Sequence, residues 1–422
     1  MRYQWVLFRI IFGLTFVLSG FVKLIDPVGT SLIVQEYFNA LHLGSLSFLS
    51  TSFGILLSLL EFITGVAILM RMRMKEAAVS GLVLTVFFTI VSIFLLVFDP
   101  IKDCGCFGQA VTLTHWETFI KNIVLLLCII PIFIQRKKFR RDSSVLVEWL
   151  FLTIYALLAF VLSTVSLARL PVVEFGDFKT GADLAIKLSE ATEKGEFETV
   201  FLYEKGGERV EFTLDNLPDT TWRYVETVEK SQVQEDAPFD FYVVDGSGNH
   251  ITDSLIFTDA PVVLCSVYDV GKFYSAKRWS ELNIVRQSVE ERGGVFWILA
   301  SSTPDEVKSI FGDGVEGLFR IGYTDYKTAI AVNRSNGGYL YLHNAFVVKK
   351  WSRQGLDPED ELQVMEQDSD IVMIRGIIKQ QLITYVSIVV LLVSILVIRY
   401  LCKVVAMRRL RSIRESENQE EL

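Results

Sequence analysis

Apolar residues run along this chain in blocks too long for an ordinary soluble core. Six stretches, near 5–25, 52–70, 77–99, 116–135, 148–169 and 381–400, are almost free of charge. A helix needs about 20 apolar residues to cross a hydrocarbon core, so the pattern predicts six transmembrane helices. Trp5, Trp116 and Trp149 stand at the block edges, where an aromatic belt meets the headgroups. Between the first two blocks, Ser31 to Leu41 repeats its apolar residues at roughly helical spacing. That spacing predicts a short amphipathic helix lying on the outer membrane surface.

The segment between the last two blocks reads differently. Thr199 to Tyr203 and Val210 to Leu214, either side of Gly206-Gly207, predict a hairpin. Phe239 to Val244 followed by Asp245-Gly246-Ser247-Gly248 predicts a strand and a turn. Pro261 to Tyr268 is a continuous apolar run and predicts a strand buried on both faces. A helix over 275–291, a strand from Gly294 to Ala300 and a helix from Pro304 to Phe311 follow. A second hairpin pairs Gly338 to Leu342 with Ala345 to Trp351. The fold class is therefore an α-helical membrane bundle of six transmembrane helices plus an external α/β domain.

Basic residues give the orientation. Arg71, Arg73 and Lys75 follow the second block, Arg136, Lys137, Lys138, Arg140 and Arg141 the fourth, and Arg399, Lys403, Arg408, Arg409, Arg411 and Arg414 the sixth. Short loops rich in Lys and Arg stay in the cytoplasm, and a six-span alternation satisfies all three together with Arg2 and Arg9. Both termini then lie in the cytoplasm, and the 99–115 loop and the 170–380 segment lie outside. The first block lacks a small-x-small cleavage site and runs on into Lys23-Leu24-Ile25-Asp26-Pro27, so it reads as a retained span. The net charge of −8 comes with no basic stripe interleaved with aromatics, which argues against nucleic acid as a partner.

Five cysteines are too few for a disulfide framework. Cys104, Cys106 and Cys265 face the compartment where disulfides persist. The most informative stretch is Asp103-Cys104-Gly105-Cys106-Phe107-Gly108, between the third and fourth blocks. Two thiols one residue apart can cycle between dithiol and disulfide, staple the loop, or take part in a metal site. Gly105 permits the tight backbone a ring requires, and strain in such a ring favours exchange over an inert staple. Asp103 beside them would raise the thiol pKa values slightly. Phe107 and Gly108 would shape the loop. A structural zinc site usually takes four N/S ligands; His115 is the only imidazole near and reads as a cap or a hydrated interfacial residue, so no metal is expected.

Lys23 and Glu61 are the ionisable residues of the bundle. Lys23, near the outer end of its span, can snorkel to water. Glu61 lies deeper, where a carboxylate is costly and marks a functional site by default; pairing with Lys23, proton handling and contact with a membrane quinone are all open to it. A buried salt bridge fixing helix register is the plain alternative. Arg9 and Lys121 are secondary candidates. Cys265 lies inside an apolar run and reads as a small buried hydrophobe. His42, His250, His343 and Asn344 read as surface or interfacial positions.

Two resemblances build on these residues. Arg9-Ile10-Ile11-Phe12-Gly13-Leu14, Ser19 to Pro27, and Glu61-Phe62-Ile63-Thr64-Gly65 resemble the DoxX family. The Asp-Cys-Gly-Cys-Phe-Gly loop resembles MauE, a relative associated with periplasmic redox maturation. Over roughly 238–352 the element order β-α-β-α-β-β, with the Arg334 to Tyr339 turn, resembles a thioredoxin fold. Two marks of that fold are missing: Asp269-Val270-Gly271-Lys272 holds no cysteine, and Gly337 stands where a cis-proline would be.

The resulting division has a DoxX/MauE-like membrane domain (1–142), a fifth span (143–170) and a small external α+β subdomain (171–237). A thioredoxin-like domain without its thiol motif (238–378), a sixth span (379–402) and a cytoplasmic tail (403–422) complete it. The resemblance and orientation imply a bacterial inner-membrane protein. Its external Cys104 and Cys106 would exchange disulfides with a periplasmic or membrane protein partner, or pass electrons to a quinone. The alternative is a non-catalytic scaffold whose thioredoxin-like domain binds a partner. Lipid surrounds it in either case.

Overall fold

The computed structural model describes residues 2–99, 101, 104–139, 144–194, 197–205, 208–213, 223–231, 239, 241–312 and 315–420. Asp103, Arg140, Arg141 and the Gly206-Gly207 turn lie outside the described residues. The chain divides into two units, Met1–Gly176 with Ser352–Gly355 and Ile374–Leu422, and Asp177–Trp351 with Leu356–Met373.

The first unit is helical: α1 Arg2–Ile25, α2 Pro27–Ala40, α3 Ser50–Met70, α4 Met74–Phe98, a short extended β1 Cys106–Gln109, α5 His115–Ile134 and α6 Val145–Ala168. With a later helix, six among the described residues are long and apolar enough to cross a membrane. The crossing of α1 and α3 depends on glycine. A Cβ on Gly20 would lie 2.6 Å from the backbone nitrogen of Phe62, and one on Gly65 2.7 Å from that of Val17. Small residues let membrane helices approach to backbone contact, and this approach presents Ser19 and Lys23 of α1 to Glu61 of α3. At the other end Arg9 is buried and donates to the carbonyls of Ile68 and Leu69 at 2.9 and 3.1 Å. These belong to the last turn of α3, whose carbonyls have no partner within the helix.

The short helix after the first span departs from expectation. It starts at Pro27, with Asp26 accepting the Gly29 N–H as an N-cap aspartate does. Its Pro27, Gly29, Thr30, Ser31 and Val34 are buried, and the Ser31 hydroxyl bonds those of Ser50 and Thr51 at 2.9 and 2.8 Å. Hydroxyl contacts to α3 therefore tie it into the bundle rather than leaving it on a surface. Thr114 and Glu117 form a capping box at the start of α5, so Thr114, not His115, caps that helix; His115 Nδ1 sits 3.2 Å from Asp99.

In the second unit α7 Leu184–Lys194 precedes β2 Phe197–Lys205, β3 Glu208–Thr213 and β4 Arg223–Ser231, an antiparallel sheet ordered β3-β2-β4. The expected hairpin is β2–β3, with Tyr203 opposite Val210. After α8 Thr252–Ile256 come β5 Val262–Val267, α9 Val270–Phe273, α10 Ala276–Glu291, β6 Val295–Ala300, α11 Pro304–Phe311, α12 Val315–Leu318, β7 Arg320–Tyr323, α13 Tyr326–Val332, β8 Gly338–His343 and β9 Phe346–Trp351. The second sheet runs β7-β6-β5-β8-β9. β5 is buried at all six positions, parallel to β6 and antiparallel to β8.

Three expectations change here. The described residues of 239–244 form no strand; Val244 makes only isolated bridges to His250 and Tyr323. β7 and α13 add to the predicted order, and four residues of strand are too few to show a period. Phe178, Ala182 and Leu184, placed in a separate subdomain from sequence, pack into the core beside β5 and β8 with Phe239 and Phe241. Gly181 and Leu184 donate to the carbonyls of Val347 and Ala345, so 178–184 folds with the large sheet. The last helix, α14 Ser369–Glu420, meets α6 through the Tyr155 and Ser394 hydroxyls, 2.9 Å apart.

Candidate functional site

The Cys-Gly-Cys loop is fastened to the bundle from two helices. The Tyr37 hydroxyl of α2 donates to the Cys104 carbonyl at 3.0 Å, and the Ser19 hydroxyl of α1 donates to the Cys106 carbonyl at 2.6 Å. Within the loop the Gly108 N–H reaches the Gly105 carbonyl at 3.0 Å and the Cys106 N–H points at Cys104 Sγ, 3.2 Å away. Gly105 has φ +65°, and a Cβ there would fall 2.5 Å from Cγ2 of Ile33; both facts require glycine. Cys104 is 7% exposed and packs with Leu95, Ile101, Tyr37 and Ala40, whereas Cys106 is partly exposed.

Behind the loop lies the ionisable pair. Lys23 Nζ is 3.0 and 2.8 Å from the two carboxylate oxygens of Glu61, and both residues are buried. Lys23 therefore turns inward instead of snorkelling to water, because a carboxylate in an apolar core attracts it more strongly than the interface does. The same Ser19 hydroxyl that holds Cys106 lies 3.1 Å from Glu61 Oε2. Cys106, Ser19, Glu61 and Lys23 thus form one connected polar cluster, with Phe88 under the ammonium at 5.4 Å.

From α5, Lys121 stands with its ammonium 5.2 Å from the ring centre of Phe107, the residue after Cys106. The thiols are split by their own contact. The hydrogen bond between them pushes the Cys104 thiol up, with burial adding to the rise, and draws Cys106 down to about 6 against the opposing effect of burial. The charges of Lys121 and Lys23 also lower Cys106. The slight rise expected from Asp103 concerns a residue outside the described set. Cys104, Cys106, Cys128 and Cys265 are free thiols.

Sequence reasoning missed Ser19 and Tyr37 as site residues. A usable signal was present: Ser19 and Lys23 are four residues apart around Gly20, a small residue flanked by polar ones on one helix face. Cys265 is fully buried in β5, and burial holds its thiol up. His250 bonds the Tyr242 hydroxyl and His343 the Ser369 hydroxyl, each at 2.8 Å. Among the described residues no three His, Cys, Asp or Glu side chains gather into a group able to hold a metal ion. In the second unit Asp269 caps α9, and Asn336 bonds both its N–H and its carbonyl.

The six apolar helices found among the described residues define a multi-pass membrane protein. Residues 1–135 match the family described as methylamine utilisation protein MauE, which makes this part of the chain a MauE-like membrane domain. Residues 197–235, where the three-stranded sheet lies, match a domain of unknown function, DUF8463. No curated protein and no solved structure matches the chain.

Proposed function

We propose that this protein exchanges disulfides through Cys104 and Cys106, carrying electron pairs from a partner protein outside the cytoplasm to a membrane quinone. The observation that carries this reading is the unequal thiol pair: Cys104 is buried, Cys106 is partly exposed, and their contact pushes the first thiol up and draws the second down. The match to MauE supports a redox-associated role, and the basic loops support an external position for the cysteines. DoxX-like ancestry of the bundle belongs to the same reading.

A partner thiolate attacks Cys106 of the loop disulfide; the S–S bond breaks and Cys104 leaves, taking a proton. The partner's second thiol loses its proton, and that thiolate attacks the partner sulfur of the mixed disulfide, releasing Cys106 as thiolate. Two electrons have moved to the loop. Of the two protons the partner gave up, one rests on Cys104 and one is in solvent. A quinone then takes two electrons and two protons, leaves as quinol and restores the disulfide. A thiol of lowered pKa is the better leaving group in the release step. Ser19, Glu61 and Lys23 hold the Cys106 carbonyl in place during exchange.

A second reading is a scaffold. The five-stranded order and the βαβ start at β5 support a thioredoxin-like shell in the second unit. Its Asp269 to Lys272 stretch holds no cysteine and is closed by Asn336, which favours binding over thiol chemistry there. Thiol trapping in native membranes separates the two. Exchange predicts that in Cys104→Ser the Cys106 thiolate attacks the partner's oxidised disulfide, expels the partner's other sulfur as thiolate and stays joined, since no Cys104 thiol remains to release it. If Cys104→Ser/Cys106→Ser leaves the oxidation state of every external protein unchanged, the scaffold reading prevails.

A further inference from the structure

We propose that Lys121 is the positioning residue that keeps the negative charge on Cys106, and so makes Cys106 rather than Cys104 the sulfur that joins the partner. The proposal deepens the exchange reading and rests on it. Its basis is geometric. Lys121 reaches from α5 to the loop, where its charge lowers Cys106. Phe107, the residue after Cys106, puts its ring 5.2 Å from the Lys121 ammonium, a cation–π distance. The loop thus supplies a shelf that keeps the cation beside its own sulfur.

The surrounding charges leave this work to Lys121. From α1, Lys23 also lowers Cys106, less than Lys121 does, and both oxygens of Glu61 from α3 engage its ammonium. From α2, Tyr37 is held in its neutral form by burial and gives its hydroxyl to the Cys104 carbonyl. Within the loop Cys104 is the protonated donor. Among the described residues no carboxylate pairs with Lys121, while Asp103 lies outside them. A thiolate on Cys106 therefore faces in Lys121 a cation that no described carboxylate pairs with. An adjacent lysine is a recognised means of lowering a thiol.

The test uses the full chain, reduced, in detergent micelles, with iodoacetamide as the probe. Alkylation is followed against pH and assigned to each cysteine by peptide mass spectrometry. In the wild type Cys106 should label with a midpoint near the value of about 6, well before Cys104. Lys121→Gln should raise that midpoint by about one pH unit or more, a roughly tenfold loss of thiolate below it, and Lys121→Arg should restore most of it. Phe107→Leu should move it in the same direction by less. An unchanged midpoint in Lys121→Gln, or Cys104 labelling first in the wild type, overturns the proposal. If Lys121→Gln does not fold, Phe107→Leu and Lys121→Arg decide: a raised midpoint in the first and a near-wild-type one in the second sustain it, and any other pattern overturns it. Alkylation needs no partner. Failure of the exchange reading would appear separately, as unaltered partner oxidation in Cys104→Ser/Cys106→Ser.

Discussion

Replacing Glu61 with glutamine removes one charge and leaves the Lys23 ammonium in an apolar core. Both side chains are under 10% exposed, at 8% for Lys23 and 3% for Glu61, so solvent screening gives no discount of the kind a surface pair needs. Breaking a buried pair by removing one partner costs about 3–5 kcal/mol, whereas replacing both with apolar residues of similar size ranges from neutral to a gain of about 4 kcal/mol. Glu61→Gln should therefore unfold at markedly lower denaturing detergent than the wild type. Lys23→Met/Glu61→Leu should recover all of that loss. Unfolding of the solubilised protein in sodium dodecyl sulfate, followed by tryptophan fluorescence, reads both. The double variant keeps the Ser19 bond to the Cys106 carbonyl, so its loop should remain alkylatable at Cys106. Equal unfolding midpoints for Glu61→Gln and wild type would refute the reasoning, because the pair could not then be desolvated. A double variant as unstable as the single one would refute it too.

Three further outcomes follow from the packing. Gly105→Ala places a Cβ 2.5 Å from Ile33 in a left-handed conformation that costs a non-glycine residue roughly 1–2 kcal/mol; Cys106 should lose its early alkylation, and Gly105→Ala/Ile33→Ala should recover only the steric part. Gly20→Val cannot be relieved by a side-chain shift, since the atoms it meets are the backbone of Ser58 and Phe62; the membrane unit should lose several kcal/mol, on the order of an overpacked core or more, read in the same detergent titration. In the second unit the fully buried Asn333 amide donates to the carbonyls of Tyr339 and Trp351 and accepts the Ser335 N–H. Asn333→Ala leaves those groups unmet at about 1–3 kcal/mol each, so hydrogen exchange of β8 and β9 should quicken sharply.

Much of the architecture was legible because it is written in local periods. The six spans follow from runs of apolar residues, and β5 from six consecutive ones. β7 left no trace, since Arg320 to Tyr323 is too short to establish alternation. Phe178 and Leu184 looked like part of a small subdomain because their partners, Leu340 and Val347 among them, lie far along the chain. At the site, the two cysteines and the intramembrane carboxylate stood out by residue type alone. Ser19 did not, as a serine in a membrane span is unremarkable until its neighbours are known.

What the amino-acid order determined by itself was the set of membrane-crossing segments, the mixed α/β character of the large domain, and the presence of two thiols and one buried acid. Those are properties of composition and short-range pattern. The tertiary structure decided that the acid, its lysine and the thiol loop form one cluster: Ser19 bonds Cys106 across 87 residues, and Ser19 and Lys23 reach Glu61 because Gly20 lets α1 touch the backbone of α3. The unlike surroundings of the two sulfurs were decided there too: Cys104 packs against Leu95, Ile101 and Tyr37 while Cys106 stays partly exposed, because packing acts through space and not along the chain.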